Sequence, residues 1–347
     1  NRLQLALTKS SQFHLRLQDP SFSGRITEMR TMQLAEQIDT PSGIFPLIYD
    51  GSEFTSLDDS ITWAQENRSE LLDLAFQHGT VLFRNFSTVT DRDFDAFIQA
   101  FHLENFHYRQ SLSNAVRFNR TERVFTANEA PADVKIFLHH EMAQTPIYPS
   151  RLFFFCEQPA DTGGATPICR SDVLVVRLKE QHPQFVADLI TKGLKYRNIL
   201  PNENDPQSGM GRSWRSTFHA DTPDECETNM AKLGYSGEWR DDGSLVSTTP
   251  ILDGIRTLPD GRQTFFNQLI AAYQGWGSDE NSGPPVTFGD GTPLDHVAVT
   301  AACEIADELT FEVPWRQGDV ALVDNYVAMH ARQTFTGTRK ILASLVA

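Results

Sequence analysis

The spacing of apolar residues in the first third of the chain predicts helices separated by a strand. In the segment 56–79, acidic residues occupy the first turn, apolar residues recur at helical spacing, and Gly79 ends the pattern. The short apolar run 80–84 then predicts a strand. Thr90 and Asp93 have the spacing of a helix cap, so a second helix is predicted after them.

The rest of the chain has mostly strand-like patterns. Residues 123–156 are rich in β-branched and aromatic residues, and Pro and Asn interrupt them. A helix is predicted from about 171 to 192, with Pro183 forcing a break or kink inside it. Residues 196–250 are rich in Gly, Asn, Asp and Pro, which predicts a long insertion with little regular structure. The final predicted strands lie near 309–313, 319–324 and 341–346.

Early helices followed by a strand-rich body predict a mainly β fold with flanking helices. This order favours a β-sandwich or barrel buttressed by helices over an alternating βαβ sheet. Residues 1–42 are polar and weakly periodic, so we interpret them as an N-terminal extension that packs loosely or makes oligomer contacts. No linker divides the remainder, and we expect residues 43–347 to form one domain that carries the insertion at about 196–250.

Composition narrows the functional classes. The chain has 347 residues with 45 acidic and 30 basic side chains, a formal net charge of −15, which disfavours nucleic acid and anionic membranes as partners. No apolar run approaches the roughly 20 residues of a membrane-spanning helix, and the first residues lack a signal-peptide pattern. The four cysteines include no C-x-x-C pair, which is typical of reduced thiols in a cytoplasmic enzyme.

The tripeptide His139-His140-Glu141 carries the strongest chemical signal. On a strand, residues two apart project to the same face, so His139 and Glu141 converge while His140 points away. An imidazole and a carboxylate form two corners of the 2-His-1-carboxylate triad, which binds Fe(II) on one face and leaves three positions open. His330, which follows the apolar run 320–324, is the candidate third ligand.

Iron with open positions needs a co-substrate that supplies electrons. 2-Oxoglutarate chelates a metal through its keto-acid end, and its distal carboxylate needs a guanidinium and a hydroxyl donor. Arg339 is the candidate guanidinium, with Arg332 as the alternative, and Thr166 is the candidate hydroxyl. A solvent-exposed charge for Arg339 and an ordinary turn residue for Thr166 are the competing interpretations.

At these positions the chain resembles the TauD/TfdA superfamily of dioxygenases, and in particular its clavaminate synthase-like branch. The resemblance runs in order from about Phe45 to the end of the chain and does not cover the first 40 or so residues. The matching segments include Asn128-Glu129-x-Pro131, His139-His140-Glu141-Met142-Ala143-Gln144, Gly163-Gly164-Ala165-Thr166-Pro167-Ile168, Gly211-Arg212-x-Trp214, Phe266-Asn267, Pro314-Trp315-x-x-Gly318-Asp319-Val320, Asp324-Asn325, His330 and Arg339.

The resemblance implies a double-stranded β-helix (jelly-roll) core, with Fe(II) held by His139, Glu141 and His330. It also implies 2-oxoglutarate anchored by Thr166 and Arg339, and O2 as co-substrate. One departure concerns the substrate: taurine dioxygenase carries a second Arg for its sulfonate four residues after the anchor, where this chain has Ala343. Halogenases replace the ligating carboxylate with a small residue, so Glu141 argues against halogenation.

We expect hydroxylation of an unactivated C–H bond in a small polar substrate, amino-acid-like or carrier-tethered, in a biosynthetic pathway. Desaturation, epoxidation or cyclisation with the same cofactors stays open. Two less favoured alternatives are a cupin-like dioxygenase that does not use 2-oxoglutarate and a non-enzymatic metal-binding barrel. The candidate substrate contacts, each of which could instead serve capping or packing, are Asn128, Arg212, Trp214 and Asn267.

Overall fold

The computed structural model describes residues 29–108, 111–113, 115, 117–205, 211–276 and 283–347. The helices are α1 (Leu57–Glu66), α2 (Arg68–His78), α3 (Asp91–Gln99), α4 (Ser171–Gln181), α5 (Pro183–Lys192), α6 (Trp214–Phe218), α7 (Pro223–Lys232), α8 (Leu269–Gly275) and α9 (His296–Glu308). The strands are β1 (Ile38–Thr40), β2 (Gly43–Phe45), β3 (Leu47–Asp50), β4 (Thr80–Arg84), β5 (Phe125–Thr126), β6 (Ile136–His139), β7 (Arg151–Gln158), β8 (Thr162–Gly163), β9 (Thr166–Arg170), β10 (Leu194–Leu200), β11 (Ser236–Trp239), β12 (Leu245–Thr248), β13 (Arg256–Thr257), β14 (Gln263–Thr264), β15 (Val286–Phe288), β16 (Thr310–Val313), β17 (Val320–Asp324), β18 (Ala328–Arg332), β19 (Phe335–Thr336) and β20 (Lys340–Val346).

Two sheets build the core, which is mainly β with helices on the outside. The larger sheet has the strand order β3-β4-β17-β7-β20-β5 and is antiparallel except for the pair β3-β4. The smaller sheet has the order β16-β9-β18-β6 and is antiparallel throughout. Apolar side chains of both sheets form one buried cluster, in which Phe154 and Ala321 of the larger sheet join Ile168 and Ala328 of the smaller one.

The predicted helix over 56–79 is two helices, because Asn67 interrupts it. The backbone N–H and the side-chain amide of Asn67 both donate to the carbonyl of Trp63, at 3.1 and 2.8 Å, which ends α1. The carbonyl of Asn67 then accepts the first bond of α2 from Leu71. The cap predicted at Thr90 and Asp93 is confirmed as a reciprocal capping box at the start of α3.

The predicted break at Pro183 is confirmed, since α4 ends at Gln181 and α5 begins at Pro183. The three predicted final strands are also confirmed as β16, β17 and β20. All four cysteines are buried and free.

The prediction of little regular structure in the segment 196–250 was wrong. This segment contains most of β10, all of α6, α7, β11 and β12, and most of a buried cluster that includes Trp214 and is joined by Leu112. The sheet order β11-β12-β10-β15 joins the segment to the strand 286–288. The Gly and Pro content suggested irregular structure, but these residues border regular elements: Pro223 stands at the start of α7, and Gly243 lies in the turn before β12.

Most of the predicted N-terminal extension lies outside the described residues, which begin at 29. The described part is ordered against the body: the backbone N–H of Met32 donates to Ile48 of β3 at 2.9 Å, and β1 pairs with β2. No described helix is long and apolar enough to cross a membrane.

Candidate metal centre

Two histidines face each other across neighbouring strands of the smaller sheet. His139 is the last residue of β6 and His330 lies in the middle of β18, and the two are direct partners in the antiparallel register. Their ring centroids are 4.3 Å apart. The Nδ1 atom of His139 lies 2.8 Å from the carbonyl oxygen of Phe137, which fixes the ring and leaves Nε2 for a ligand.

Glu141 completes the cluster from a turn. The prediction that it continues the strand of His139 was wrong, because β6 ends at His139 and the backbone turns through Met142 with φ 58°. The side chain of Asn325 holds this turn in place: its Oδ1 accepts from the N–H of Glu141 at 2.8 Å, and its Nδ2 donates to the Glu141 carbonyl at 3.0 Å. The ligand atoms of His139, Glu141 and His330 thereby come within 4.8 Å of one another.

His140 points away from this cluster, as the alternation of side chains predicts. It is fully buried, its ring lies 5.0 Å from that of Phe266, and its Nδ1 lies 2.5 Å from the carbonyl oxygen of Asn325. The side-chain amide of Gln268 donates to the His140 carbonyl at 3.0 Å. Side chains from two distant segments therefore fix the backbone between the two candidate ligands.

The electrostatics of the cluster favour the metal-binding forms of His139 and Glu141. Burial, and then the neighbouring His330, lowers the pKa of His139 to about 4, so its imidazole is neutral. Burial raises the pKa of Glu141, but the charge of Arg117 and the contact with His330 outweigh burial and hold it below its usual range. Arg117 Nη2 donates to Glu141 Oε1 at 2.8 Å. A neutral imidazole and an ionised carboxylate are the forms in which these two side chains ligate a metal.

The donor set fits iron. Two imidazole nitrogens and one carboxylate oxygen, gathered on one side, match the facial triad that holds Fe(II) and leaves positions open for other ligands. His330 Nε2 and Glu141 Oε2 are 3.3 Å apart, so both atoms point into the same small space. Among the described residues this is the one group of three such side chains placed to hold a metal ion.

A cavity leads from the two histidines to Thr166 and Arg339. The side chains of Phe154 and Ile341 form apolar walls between its ends. Thr166 Oγ1 accepts from Arg339 Nη2 at 3.1 Å and from the indole nitrogen of Trp315 at 2.8 Å. With both acceptor positions of this hydroxyl used, its own hydrogen is left to donate to a ligand.

The end of the cavity at Thr166 and Arg339 fits a carboxylate. Arg339 Nε donates to the Gly164 carbonyl at 2.8 Å, which orients the guanidinium, and no carboxylate of the described residues pairs with Arg339. Burial, and then the nearby charge of Arg332, lowers the pKa of Arg339 to about 10. A bound anion would stabilise the charged guanidinium of Arg339 and so oppose this lowering of its pKa. The residues present therefore fit 2-oxoglutarate, with its keto-acid end at the triad and its distal carboxylate at Arg339 and Thr166.

Arg332, the alternative anchor, has other partners. Its guanidinium donates to four backbone carbonyls of the segment 128–134, at distances from 2.7 to 3.2 Å. These bonds make Arg332 a brace for the segment that leads into β6, although it also lines the cavity.

The four candidate substrate contacts fall into two groups. Asn128 lines both the cavity just described and a second cavity on the other side of the triad. Trp214 is packed in the buried cluster of the segment 196–250, and the side chain of Asn267 bonds to Gly254 and Leu269. Arg212 donates to the carbonyls of Ser111, Ser113 and Ser216 at 2.6 to 2.9 Å. Of the four, only Asn128 lines the two cavities that contain candidate ligands, whereas Asn267 contacts the segment through its backbone carbonyl, which accepts from the N–H of His140 at 3.4 Å.

Sequence reasoning assigned no role to four residues that shape the site. Trp315 and Asn325 stand within matched segments, but neither is a type that ligates a metal, so their contribution is visible only once the fold brings them to Thr166 and Glu141. Gln268 braces His140 from the start of α8. Arg117 lies outside regular structure, where no periodicity indicates the direction of a side chain.

Comparison with known proteins decides the family. Residues 48–345 match the family described as taurine catabolism dioxygenase TauD, TfdA family. The chain belongs to this family. It is accordingly a dioxygenase that uses Fe(II) and 2-oxoglutarate.

Two relatives are similar over most of their length. A clavaminate synthase-like protein of Arabidopsis thaliana is 40% identical over 275 residues, which cover 78% of this chain and 82% of that protein. The dapdiamide synthesis protein DdaC of Enterobacter agglomerans is 28% identical over 290 residues, with the same coverage of 78% and 82%. Both are consistent with the clavaminate synthase-like branch of the family.

Solved structures share the fold. PvcB of Pseudomonas aeruginosa matches with a TM-score of 0.51 at 13% identity, over 92% of this chain and 91% of that one. A taurine dioxygenase of Burkholderia xenovorans matches with a TM-score of 0.50 at 14% identity and the same coverage of 92% and 91%.

Proposed function

We propose that this dioxygenase hydroxylates an unactivated C–H bond of a small polar, amino-acid-like substrate. The observation that carries the proposal is the meeting of two cavities at the triad. One runs to Thr166 and Arg339, and the other opens beyond Glu141; His139, Arg117 and Asn128 line both. A co-substrate in the first cavity and a substrate in the second would both reach the candidate metal position.

The proposed ligand assignment is His139, Glu141 and His330 for Fe(II), with Thr166 and Arg339 for 2-oxoglutarate. When bound, these two groups together supply the oxidising power that converts O2 and a C–H bond to an alcohol, with succinate and CO2 as the other products. The chain's own residues orient the ligands through Asn325 and Phe137 and exclude water with the walls of the first cavity.

The lining of the second cavity supports a substrate that carries a carboxylate. Its polar surface includes Gln144 and Gln268, and Phe137 and Trp276 provide aromatic surface. The charged side chains among its lining residues are Arg117, Lys135 and Glu141, and Glu141 is paired with Arg117. Lys135 is exposed, and its ammonium lies 5.3 Å from the Phe137 ring centroid. A cation at this place suits the carboxylate of an amino acid or a similar acid.

Ala343 supports the exclusion of a sulfonate substrate. It lies in β20, opposite Phe154 of β7, and is buried in the core. A sulfonate would need a cation there, and a buried methyl group offers none. We therefore propose that taurine is not a substrate.

Further features of the proposal follow from the fold and from the relatives. We propose that residues 43–347 form one domain, and that the two packed sheets are a double-stranded β-helix, since antiparallel strands of both sheets share one core. A biosynthetic role, with a free or carrier-tethered substrate, is supported by the similarity to a dapdiamide synthesis protein. A cytoplasmic location is supported by four free, buried cysteines.

The decisive experiment begins with an anaerobic titration of the metal-free protein with Fe(II) and 2-oxoglutarate. The weak visible charge-transfer band of the chelate should appear and saturate at about one equivalent. Amino acids and their carboxamides would then be screened by succinate formation and product mass. With a saturated substrate, a product heavier by one oxygen supports hydroxylation, whereas the same gain on a C=C bond indicates epoxidation and loss of two hydrogens indicates desaturation or cyclisation. Iron binding without the band would overturn the proposal in favour of a dioxygenase that does not use 2-oxoglutarate.

A further inference from the structure

We propose that Arg117 is a positioning residue that keeps Glu141 a one-oxygen ligand and so keeps three positions of the metal open. The inference rests on the proposed triad, and it concerns a residue that belongs to neither the triad nor the 2-oxoglutarate anchor.

The two oxygens of Glu141 have different partners. Oε1 accepts from Arg117 Nη2 at 2.8 Å, and Oε2 lies 3.3 Å from His330 Nε2, on the side of the other ligand atoms. A charge-assisted bond of this length holds Oε1 firmly. Arg117 therefore distinguishes two oxygens that are chemically equivalent, and only Oε2 is directed towards the metal position.

The guanidinium of Arg117 is itself fixed. It lies 4.8 Å from the ring centroid of Tyr108 and 5.3 Å from that of Phe125, and the side chain is 9% exposed. The Tyr108 hydroxyl donates to the Ala115 carbonyl at 2.7 Å, which holds that ring in place. A guanidinium can contact both rings and still donate from its edge to Glu141, whereas a compact ammonium on a flexible stem is held less firmly.

The number of oxygens that Glu141 supplies matters for the reaction. Carboxylates bind metals through one or two oxygens, and three protein donors leave three positions of an octahedral iron open. 2-Oxoglutarate needs two of these positions and O2 needs one. If Glu141 supplied its second oxygen, it would compete with the chelate, so a residue that occupies Oε1 protects the co-substrate site.

A simpler role for Arg117 would be to neutralise the buried charge of Glu141. The two roles predict different results for Arg117→Lys. This variant keeps a positive charge but loses the planar guanidinium, with its paired N–H donors, and its contacts with the rings. Neutralisation alone predicts near wild-type behaviour for Lys. Positioning predicts that Arg117→Lys and Arg117→Met share one defect, weakened chelation of 2-oxoglutarate by the iron-loaded protein.

The test uses measurements that require no turnover. It compares the wild type with Arg117→Lys, Arg117→Met and a control, Arg120→Met. Arg120 is the same residue type in the same segment, but it is partly exposed and pairs with Asp91 and Glu157, away from the triad. Anaerobic titration gives the affinities for Fe(II) and then for 2-oxoglutarate. The d–d absorption of Co(II)-loaded protein reports the coordination number, and circular dichroism checks the fold.

We expect both Arg117 variants to weaken 2-oxoglutarate binding by roughly 10–100-fold, the usual effect of losing an outer-shell partner, and to change the Co(II) spectrum. Arg120→Met should match the wild type. If Arg117→Met does not fold, the Lys variant alone decides. Unchanged 2-oxoglutarate affinity and Co(II) spectrum in Arg117→Lys would overturn this inference alone. A wild type that binds iron but forms no chelate would overturn the proposed function and this inference with it.

Discussion

His139 and His330 stand directly opposite each other on adjacent antiparallel strands, although most of the second half of the chain lies between them. His330 also pairs with Ile168 of β9, so its strand is held on both sides. Centre strands of a sheet are its most constrained elements, and a side chain carried by one has little freedom to move. The position of His330 is therefore fixed by a centre strand, and the register of the smaller sheet places His139, at the end of the edge strand β6, directly opposite it.

This register leads to a prediction for the third ligand. His330→Ala should abolish iron-dependent turnover and weaken Fe(II) binding by more than about 100-fold, beyond the loss expected for an outer-shell partner. The fold should persist, because Ala fits a strand whose neighbours are already Ala328 and Ala331. Anaerobic Fe(II) titration with circular dichroism measures both effects.

A matched control for this variant is His107→Ala, because His107 is an exposed histidine outside the triad. It should bind iron as the wild type does. If His330→Ala kept full activity, the proposed triad would be wrong.

The anchor assignment separates two arginines of the same cavity. Arg339→Lys should raise the 2-oxoglutarate KM by roughly 10–100-fold, because an ammonium cannot bind both a carboxylate and Thr166 through a planar fork. Its cost in stability should be smaller than that of Arg332→Lys, because Arg339 donates to the carbonyl of Gly164 and Arg332 to four carbonyls. Arg332→Lys should instead lower the free energy of unfolding by about 1–3 kcal/mol, since it leaves buried carbonyls without donors. Steady-state kinetics and urea denaturation of both variants measure these effects. If Arg339→Lys left the 2-oxoglutarate KM unchanged, Arg332 would replace Arg339 as the candidate anchor.

The pattern of the sequence was sufficient for the elements that local rules govern. The capping box at Thr90, the break at Pro183 and the final strands each follow from residues close together in the chain. The break at Asn67 was not predicted, because an Asn amide that bonds to a helix carbonyl competes with the helix only in a suitable geometry.

The site was predictable where its chemistry requires particular residue types. A facial triad needs two histidines and one carboxylate, and the His-x-Glu pair with a late histidine supplies these residue types. Arg212 and Trp214 also have the types expected at a substrate site, but only the fold shows that Arg212 bonds to backbone carbonyls and that Trp214 is packed in a buried cluster. The opposite holds for Asn325. Its residue type suggests no role at a site, but the fold brings its side chain to the backbone of Glu141.

Asn325 provides a test of the turn that presents Glu141. Asn325→Asp keeps Oδ1 as the acceptor for the Glu141 N–H but removes the two bonds that Nδ2 donates to Glu141 and Pro149. It also places a negative charge against buried carbonyl oxygens. We expect Fe(II) affinity to fall by roughly 10–100-fold and the free energy of unfolding to fall by about 1–3 kcal/mol.

Calorimetric Fe(II) titration and urea denaturation measure the two losses separately. The control is Asn229→Asp, whose amide donates to the Phe218 and His219 carbonyls far from the triad in the chain. This control should lose some stability with no effect on iron. Wild-type iron affinity in Asn325→Asp would show that the turn keeps its shape without the amide.

A buried histidine away from the candidate metal centre makes the stability depend on pH. His78 ends α2, and its Nδ1 lies 2.7 Å from the Ile44 carbonyl oxygen. Burial lowers its pKa, the Ile44 carbonyl opposes this, and the charge of Arg170 lowers it further, so the net shift is downward. The unfolded chain, with a histidine pKa of about 6.5, therefore binds more protons than the folded chain in the interval between the two values. The stabilising contribution of neutral His78 is complete above about pH 6.5 and is lost as the pH falls towards the folded-state pKa.

The variant His78→Gln isolates this contribution, because Gln keeps a donor for the Ile44 carbonyl but does not titrate. Urea denaturation of the metal-free wild type and variant at several pH values from 8 to 5 gives the difference in their free energies of unfolding. His139 and His140 also have lowered pKa values, but they are present in both proteins and cancel in the difference. We expect the wild type to lose more stability than the variant as the pH falls below about 6.5. Parallel profiles would mean that the folded protein protonates His78 as readily as the unfolded chain does.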